Sequence, residues 1–195
     1  MPPDPDPPPG PDSDAVPESL LGAERVPVRY DYVGPSDIRA RVRPGEGGAP
    51  IRSPGDVRAW LEGREPGERG EPFTYVVDLG GTLRLAPRRS EHVACAGGGP
   101  VLAAGEITFD ASGPAVVEVS NQSTGYCPGV ECWPEVAAAL DGAGLRRRPD
   151  GFTHPFVFRR CGACGELNLV KDAHYVCAVC DADLPEGPEE GFRTS

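Results

Sequence analysis

Four of the chain's seven cysteines fall within twenty residues, in CGACGELNLVKDAHYVCAVC from Cys161 to Cys180, as two C-x-x-C pairs with twelve residues between them. No other feature constrains the fold as strongly, because it replaces a hydrophobic core with a metal. A segment of about thirty residues buries too little area to fold unaided. Zinc takes four thiolates at the corners of a tetrahedron, with sulfur about 2.3 Å from the ion. A C-x-x-C pair with a glycine just after it, as at Gly165, makes a tight knuckle whose two sulfurs aim at one centre. The stretch between the pairs, GELNLVKDAHYV, suffices for a small hairpin, with Asn168, Lys171 and Asp172 near its tip and Leu167, Leu169, Tyr175 and Val176 covering the knuckles. Cys161, Cys164, Cys177 and Cys180 are therefore the expected ligands of one structural zinc ion.

This ligand pattern resembles a zinc ribbon, over residues 159–185 only. The resemblance implies a metal that holds a small module together and a function that lies on its surface. A rubredoxin-like iron site also uses two C-x-x-C pairs, usually at a longer separation. A thiol–disulfide site would place one pair at a helix N-terminus in a βαβ context, which this sequence lacks. Four thiolates close the coordination sphere to water, which argues against a catalytic ion.

Upstream, residues 20–158 read as one α+β domain with a mainly antiparallel sheet and two short helices. RVPVRYDYV alternates apolar and polar residues and reads as a strand. SPGDVRAWLEGR reads as a helix, with Ser53 as N-cap, Pro54 in the first turn, and Val57, Trp60 and Leu61 on one face. FTYVVDLGGTLRLAP and VLAAGEITFDASGPAVVEVSN read as hairpins, with SEHVACAGGGP between them as a helical turn ending in glycines. CWPEVAAALDGAGL is the second helix, with Val136, Ala137 and Leu140 on its apolar face, and FTHPFVFRR is a strand that runs into Cys161.

Residues 1–19 hold eight prolines and five acidic residues and almost nothing apolar, so they read as a disordered acidic tail. Residues 186–195 read as a second, flexible tail. The net charge of −11 argues against binding phosphate backbones or anionic membranes unless the basic residues segregate. Arg146, Arg147, Arg148, Arg159 and Arg160 approach the cysteine module as a candidate basic patch, but acidic residues follow it in CDADLPEGPEE. No apolar run approaches the eighteen or so residues of a membrane span, and the N-terminus lacks a secretory pattern. An odd number of cysteines, four of them in metal-type pairs, favours a reducing compartment, so the cytoplasm is expected. Arginine stands at eighteen of the nineteen Lys and Arg positions and Ala, Gly and Pro abound, which suggests a GC-rich bacterial genome.

Residues 90–145 carry a second likeness. Ser90, the run Gly97 to Gly99, AAGE at 103–106 and STGYCP at 123–128 resemble a module of plant calmodulin-binding IQ-motif proteins, also seen near bacterial polymorphic-toxin genes. The likeness implies shared architecture. Gly125 stands where that module's motif has histidine, and no IQ helix is present. Within this segment Glu91, His92, Glu106, Ser123 and Tyr126 are candidates for a ligand cleft. His92 and Cys95 could form a nucleophile pair given hydrogen-bond geometry and an orienting group. Cys127 and Cys132 with His154 could bind a second metal, though buried free thiols are the default for Cys95, Cys127 and Cys132.

The leading reading is a noncatalytic zinc-binding protein with a protein partner docked on the ribbon. The alternatives are an enzyme or small-ligand binder using the central cleft, and nucleic-acid binding through the ribbon and its arginines, which the charge disfavours. A shared pocket around His92, Glu106 and Tyr126 would favour the first alternative. A contiguous arginine face would favour the second.

Overall fold

The computed structural model describes residues 26–43 and 45–187; the two terminal tails expected from sequence lie almost wholly outside the described residues. The fold is α+β. Its elements in order are α1 (Ser36–Ala40), β1 (Ala49–Ile51), α2 (Pro54–Glu62), β2 (Phe73–Asp78), β3 (Leu83–Ala86), α3 (His92–Cys95), β4 (Val101–Phe109), β5 (Val116–Val119), α4 (Trp133–Gly142), β6 (Val157–Arg160) and β7 (Leu167–Val170). β1 to β5 form one antiparallel sheet in the order β1-β3-β2-β4-β5, and β6 and β7 form a separate two-stranded sheet.

β2 lies at the centre of the larger sheet, and its run Phe73 to Val77 is buried throughout. A strand buried without alternation has both faces covered. Its successive side chains serve opposite faces. Thr74 Oγ1 donates to the Ser90 carbonyl ahead of α3, while Tyr75 Oη donates 2.9 Å to the Ser120 carbonyl. α3 packs on β2 and β3, and α4 lies across β2, β3 and β4. Asp78 shapes the β2–β3 turn: one carboxylate oxygen accepts from the Gly80 and Thr82 N–H groups, the other from Arg84 Nε at 2.7 Å.

α2 forms as expected. Ser53 Oγ accepts from the Asp56 N–H at 3.2 Å, and the Asp56 carboxylate accepts from the Arg52 N–H at 2.8 Å. Val57 and Leu61 are buried, and Trp60 meets Phe73 edge-on with ring centres 5.7 Å apart. In α4 the buried apolar residues are Val136, Ala139 and Leu140, so Ala139 takes the place expected of Ala137.

Two expectations are corrected. The stretch expected as a strand from RVPVRYDYV is not one over its described residues 26–33; among these only Tyr30 pairs, with Val101, through two backbone bonds of 2.8 and 3.0 Å. Pro27 cannot donate to a ladder, and Val33 N–H is drawn away to the Gly125 carbonyl at 2.8 Å. FTHPFVFRR is not one strand but two pieces around Pro155. The first piece attaches to β5: Thr153 N–H donates to the Val119 carbonyl, and His154 bridges Ser120 in parallel. The second piece is β6 of the small sheet.

Both rims of the large sheet are occupied or short. β5 is flanked by Thr153 and by the Arg147 carbonyl, which accepts from Val116 N–H. β1 has three residues, with Pro50 in the middle. Gly105 of β4 is required by a close approach, since a Cβ there would overlap the Ser120 carbonyl oxygen.

Asn121, fully buried, joins the large sheet to the small one. Its Nδ2 donates to the Pro128 carbonyl at 2.7 Å and the Phe156 carbonyl at 2.8 Å, and its Oδ1 accepts from Phe156 N–H at 2.7 Å. The small sheet has its own buried cluster of Cys161, Cys177 and Leu184, separate from the main core.

Candidate metal centre

Each C-x-x-C pair is the turn of its own hairpin. The first lies between β6 and β7; the second lies between residues 175–177 and 182–184, joined by the Val176–Asp183 bridge and the Leu184 N–H to Tyr175 carbonyl bond. The linker between the pairs is therefore not one hairpin with Asn168 at its tip. It contributes β7 and then turns at Lys171 to His174, with Asp172 and Ala173 at φ 52° and 55°.

The two knuckles repeat the same backbone bonds. Cys161 N–H donates to the Glu166 carbonyl and Gly165 N–H to the Cys161 carbonyl; Cys177 N–H donates to the Ala182 carbonyl and Asp181 N–H to the Cys177 carbonyl. The residue after each second cysteine has positive φ, 77° at Gly165 and 58° at Asp181. The first site is what glycine supplies freely, and the second uses aspartate, which tolerates the left-handed region better than most residues.

These turns bring the four sulfurs to one point. All four lie within 4.8 Å of one another. Cys161 Sγ is 3.5 Å from Cys180 Sγ, and Cys164 Sγ is 3.6 Å from Cys177 Sγ. A tetrahedron with sulfur about 2.3 Å from its centre has edges of about 3.8 Å. A disulfide would hold its sulfurs at about 2.05 Å. The donor set thus fits a tetrahedral thiolate metal ion, and the residues present supply a complete coordination shell.

Hydrogen bonds set the acidity of the four thiols. The N–H groups of Cys164 and Ala163 hold Cys161 below its ordinary value, and those of Val179 and Cys180 bring Cys177 down to about 6. Cys164 is drawn down by the Glu166 N–H but raised overall by the sulfurs of Cys161 and Cys177. Cys180 is drawn down by the Ala182 N–H yet pushed up to about 12 by Cys161 and Cys164. Four bare thiols this close cannot all ionise, whereas a divalent cation at their centre favours all four thiolates.

Asn168 is the supporting residue that spacing does not reveal. It is buried on β7, donates Nδ2 to Cys177 Sγ at 3.5 Å and the Glu166 carbonyl at 3.0 Å, and accepts from Ala178 N–H at 2.9 Å. It thus ties the first hairpin to the second knuckle. Its signal in the sequence is a lone polar residue inside the apolar run LNLV.

The five cleft candidates are distributed around the large sheet. Glu91 lines a depression of about 230 Å³ with Ile38, Arg43, Glu46 and Ala94. Glu106 lines a different one of about 200 Å³ with Thr108, Glu118 and His154. His92, Ser123 and Tyr126 line neither, and both volumes are below the roughly 300 Å³ at which ligand pockets begin. His92 Nε2 lies 3.0 Å from the Gly105 carbonyl, so that nitrogen carries the hydrogen, and burial lowers the ring's pKa. Tyr126 donates 2.6 Å to the Gly99 carbonyl, and burial raises its phenol. Ser123 is buried with its hydroxyl unpartnered among the described residues.

Cys95, Cys127 and Cys132 are buried and form no disulfide among the described residues. Burial pushes Cys95 and Cys127 up to about 12, so neither is a thiolate near neutrality. Cys95 Sγ donates to the Arg84 carbonyl at 3.6 Å, the direction opposite to a nucleophile held by a base. Among the described residues the four-cysteine cluster is the one metal-type constellation, and no helix is long and apolar enough to cross a membrane. No protein-family model, curated protein or solved structure matches the chain.

Proposed function

We propose that the chain is a noncatalytic zinc-binding protein in which residues 159–185 form a zinc ribbon appended to the domain of residues 20–158, and that the ribbon docks a protein partner in a reducing, cytoplasmic setting. The observation that carries this reading is the closed tetrathiolate: all four donors come from the chain and converge within 4.8 Å. Zinc suits four thiolates without a redox demand, and a filled shell has no position for a substrate.

The surface supports a protein over a nucleic acid. Both knuckles present small apolar tips to solvent, Gly162 and Ala163 on one and Ala178 and Val179 on the other, with Val179 at 66% exposure. Exposed apolar tips suit protein contact. Three of the five arginines of the candidate patch are used within the fold. Arg159 donates to the Pro185 and Glu186 carbonyls and lies over Tyr175, Arg160 donates to the Gly165 carbonyl, and Arg148 pairs with Asp141. Phosphate tracking calls for several uncommitted cations on one face.

Elemental analysis of the reduced, purified chain tests this first: one zinc per chain is expected, and Cys161→Ser should lower zinc retention by at least tenfold. Iron in place of zinc, or no stoichiometric metal, would overturn it. A Val179→Asp variant separates docking from metal holding, since it should keep the zinc and lose the partner.

A further inference from the structure

Exposure differs among the four cysteines in an ordered way. Cys164 and Cys180 are exposed, while Cys161 and Cys177 are buried. Each exposed cysteine has a buried cysteine of the opposite knuckle against it: Cys177 Sγ lies 3.6 Å from Cys164 Sγ, and Cys161 Sγ lies 3.5 Å from Cys180 Sγ. An oxidant arriving from solvent therefore meets the second cysteine of each pair, with the first cysteine of the other pair standing behind it.

We infer that the cluster is a peroxide-sensitive modification site whose oxidised form carries two disulfides across the knuckles, Cys161–Cys180 and Cys164–Cys177, in place of the metal. This rests on the metal-binding reading of the same cysteines and extends it to their regulation. The oxidant is hydrogen peroxide. The Cys164 thiolate attacks one peroxide oxygen, the O–O bond breaks, and Cys164 becomes a sulfenic acid as hydroxide leaves. The Cys177 thiolate then attacks the Cys164 sulfur, the S–S bond forms, and a second hydroxide leaves. Cys180 and Cys161 repeat the sequence. Two peroxides thus take four electrons from four thiolates, giving two disulfides, four hydroxides and one free divalent cation.

The pairing decides what oxidation does to the fold. Disulfides within each C-x-x-C would close each knuckle on itself and leave nothing between the hairpins. Disulfides across the knuckles nest one loop inside the other and hold the two hairpins together without metal. Oxidation then exchanges a dianionic tetrathiolate for two neutral disulfides while the ribbon keeps its shape, and the change is one of surface charge beside Ala163 and Val179.

A single cleavage reads the pairing. Lys171 is the chain's only lysine; it lies between the two pairs and is exposed. After peroxide and blocking of free thiols, trypsin releases residues 161–171 and 172–193 as separate peptides if the disulfides are vicinal, and as one joined species if they cross. The expected result is one zinc released per two peroxides, a joined species, and fragmentation that assigns Cys161–Cys180 and Cys164–Cys177. Separate peptides, each lighter by two hydrogens, would overturn the proposal. So would zinc retained under excess peroxide, or sulfinic acids with no disulfide. The assay uses the unaltered chain, so a variant that fails to fold cannot obscure it. Absence of zinc in the starting protein would count against the metal reading, and the tryptic map of the zinc-free chain after the same peroxide treatment would still decide the pairing.

Discussion

His92 shows how one side chain couples pH to stability. Its Nε2–H serves the Gly105 carbonyl, and burial lowers its pKa in the folded state. The unfolded chain titrates near the ordinary value of about 6.5. As pH falls through that value the unfolded state takes up a proton that the folded state resists, so stability is full above about pH 7 and declines below about 6.5 until the folded pKa is passed. Thermal melts of wild type should fall between about pH 7 and pH 5, and His92→Gln should flatten that fall while lowering Tm at pH 7.5 by a few degrees. A slope unchanged by the substitution would place the titration elsewhere. Asn168 is a residue of the other kind, whose work is fixed in geometry: its amide ties β7 to the second knuckle.

Among the elements, β4 depends on one residue more than on its length. Its partner β5 pairs only at Ile107 to Phe109, and the chain at Ser120 presses on Gly105. Gly105→Ala should destabilise the large sheet by about 1–3 kcal/mol, read as a lower denaturant midpoint at constant m-value. A midpoint within error of wild type would mean that residues 119–121 yield without cost. The two hairpins of this sheet, α2, α4 and the clustering of the four cysteines are legible in the sequence because each carries a long or specific signal: two β-rich runs about a Gly-rich turn, a capped 3.6-residue stripe, or a ligand-type spacing. α1 and β1 are not legible, since five and three residues span less than two periods of the helical or strand pattern. RVPVRYDYV has the alternation of a strand, but periodicity is blind to where Val33 N–H finds its acceptor. The two-hairpin layout of the cysteine module is hidden for a related reason. Spacing fixes that four sulfurs meet, yet it does not say on which side of each knuckle the chain pairs.

At the scale of the molecule, two cores stand apart and Asn121 links the elements that carry them. Treatment with a strong chelator under reducing conditions should therefore speed amide exchange across residues 157–185 by tenfold or more and leave β2 and β4 protected. Exchange rising together in β2 would show instead that the metal holds the whole chain as one cooperative unit. The larger sheet has a further consequence for how this molecule can meet others. With one border strand taken up by its own backbone and the other cut to three residues around a proline, the sheet offers, among the described residues, no long open ladder onto which a foreign peptide could hydrogen-bond as an extra strand. Recognition at the borders of that sheet passes through side-chain contacts.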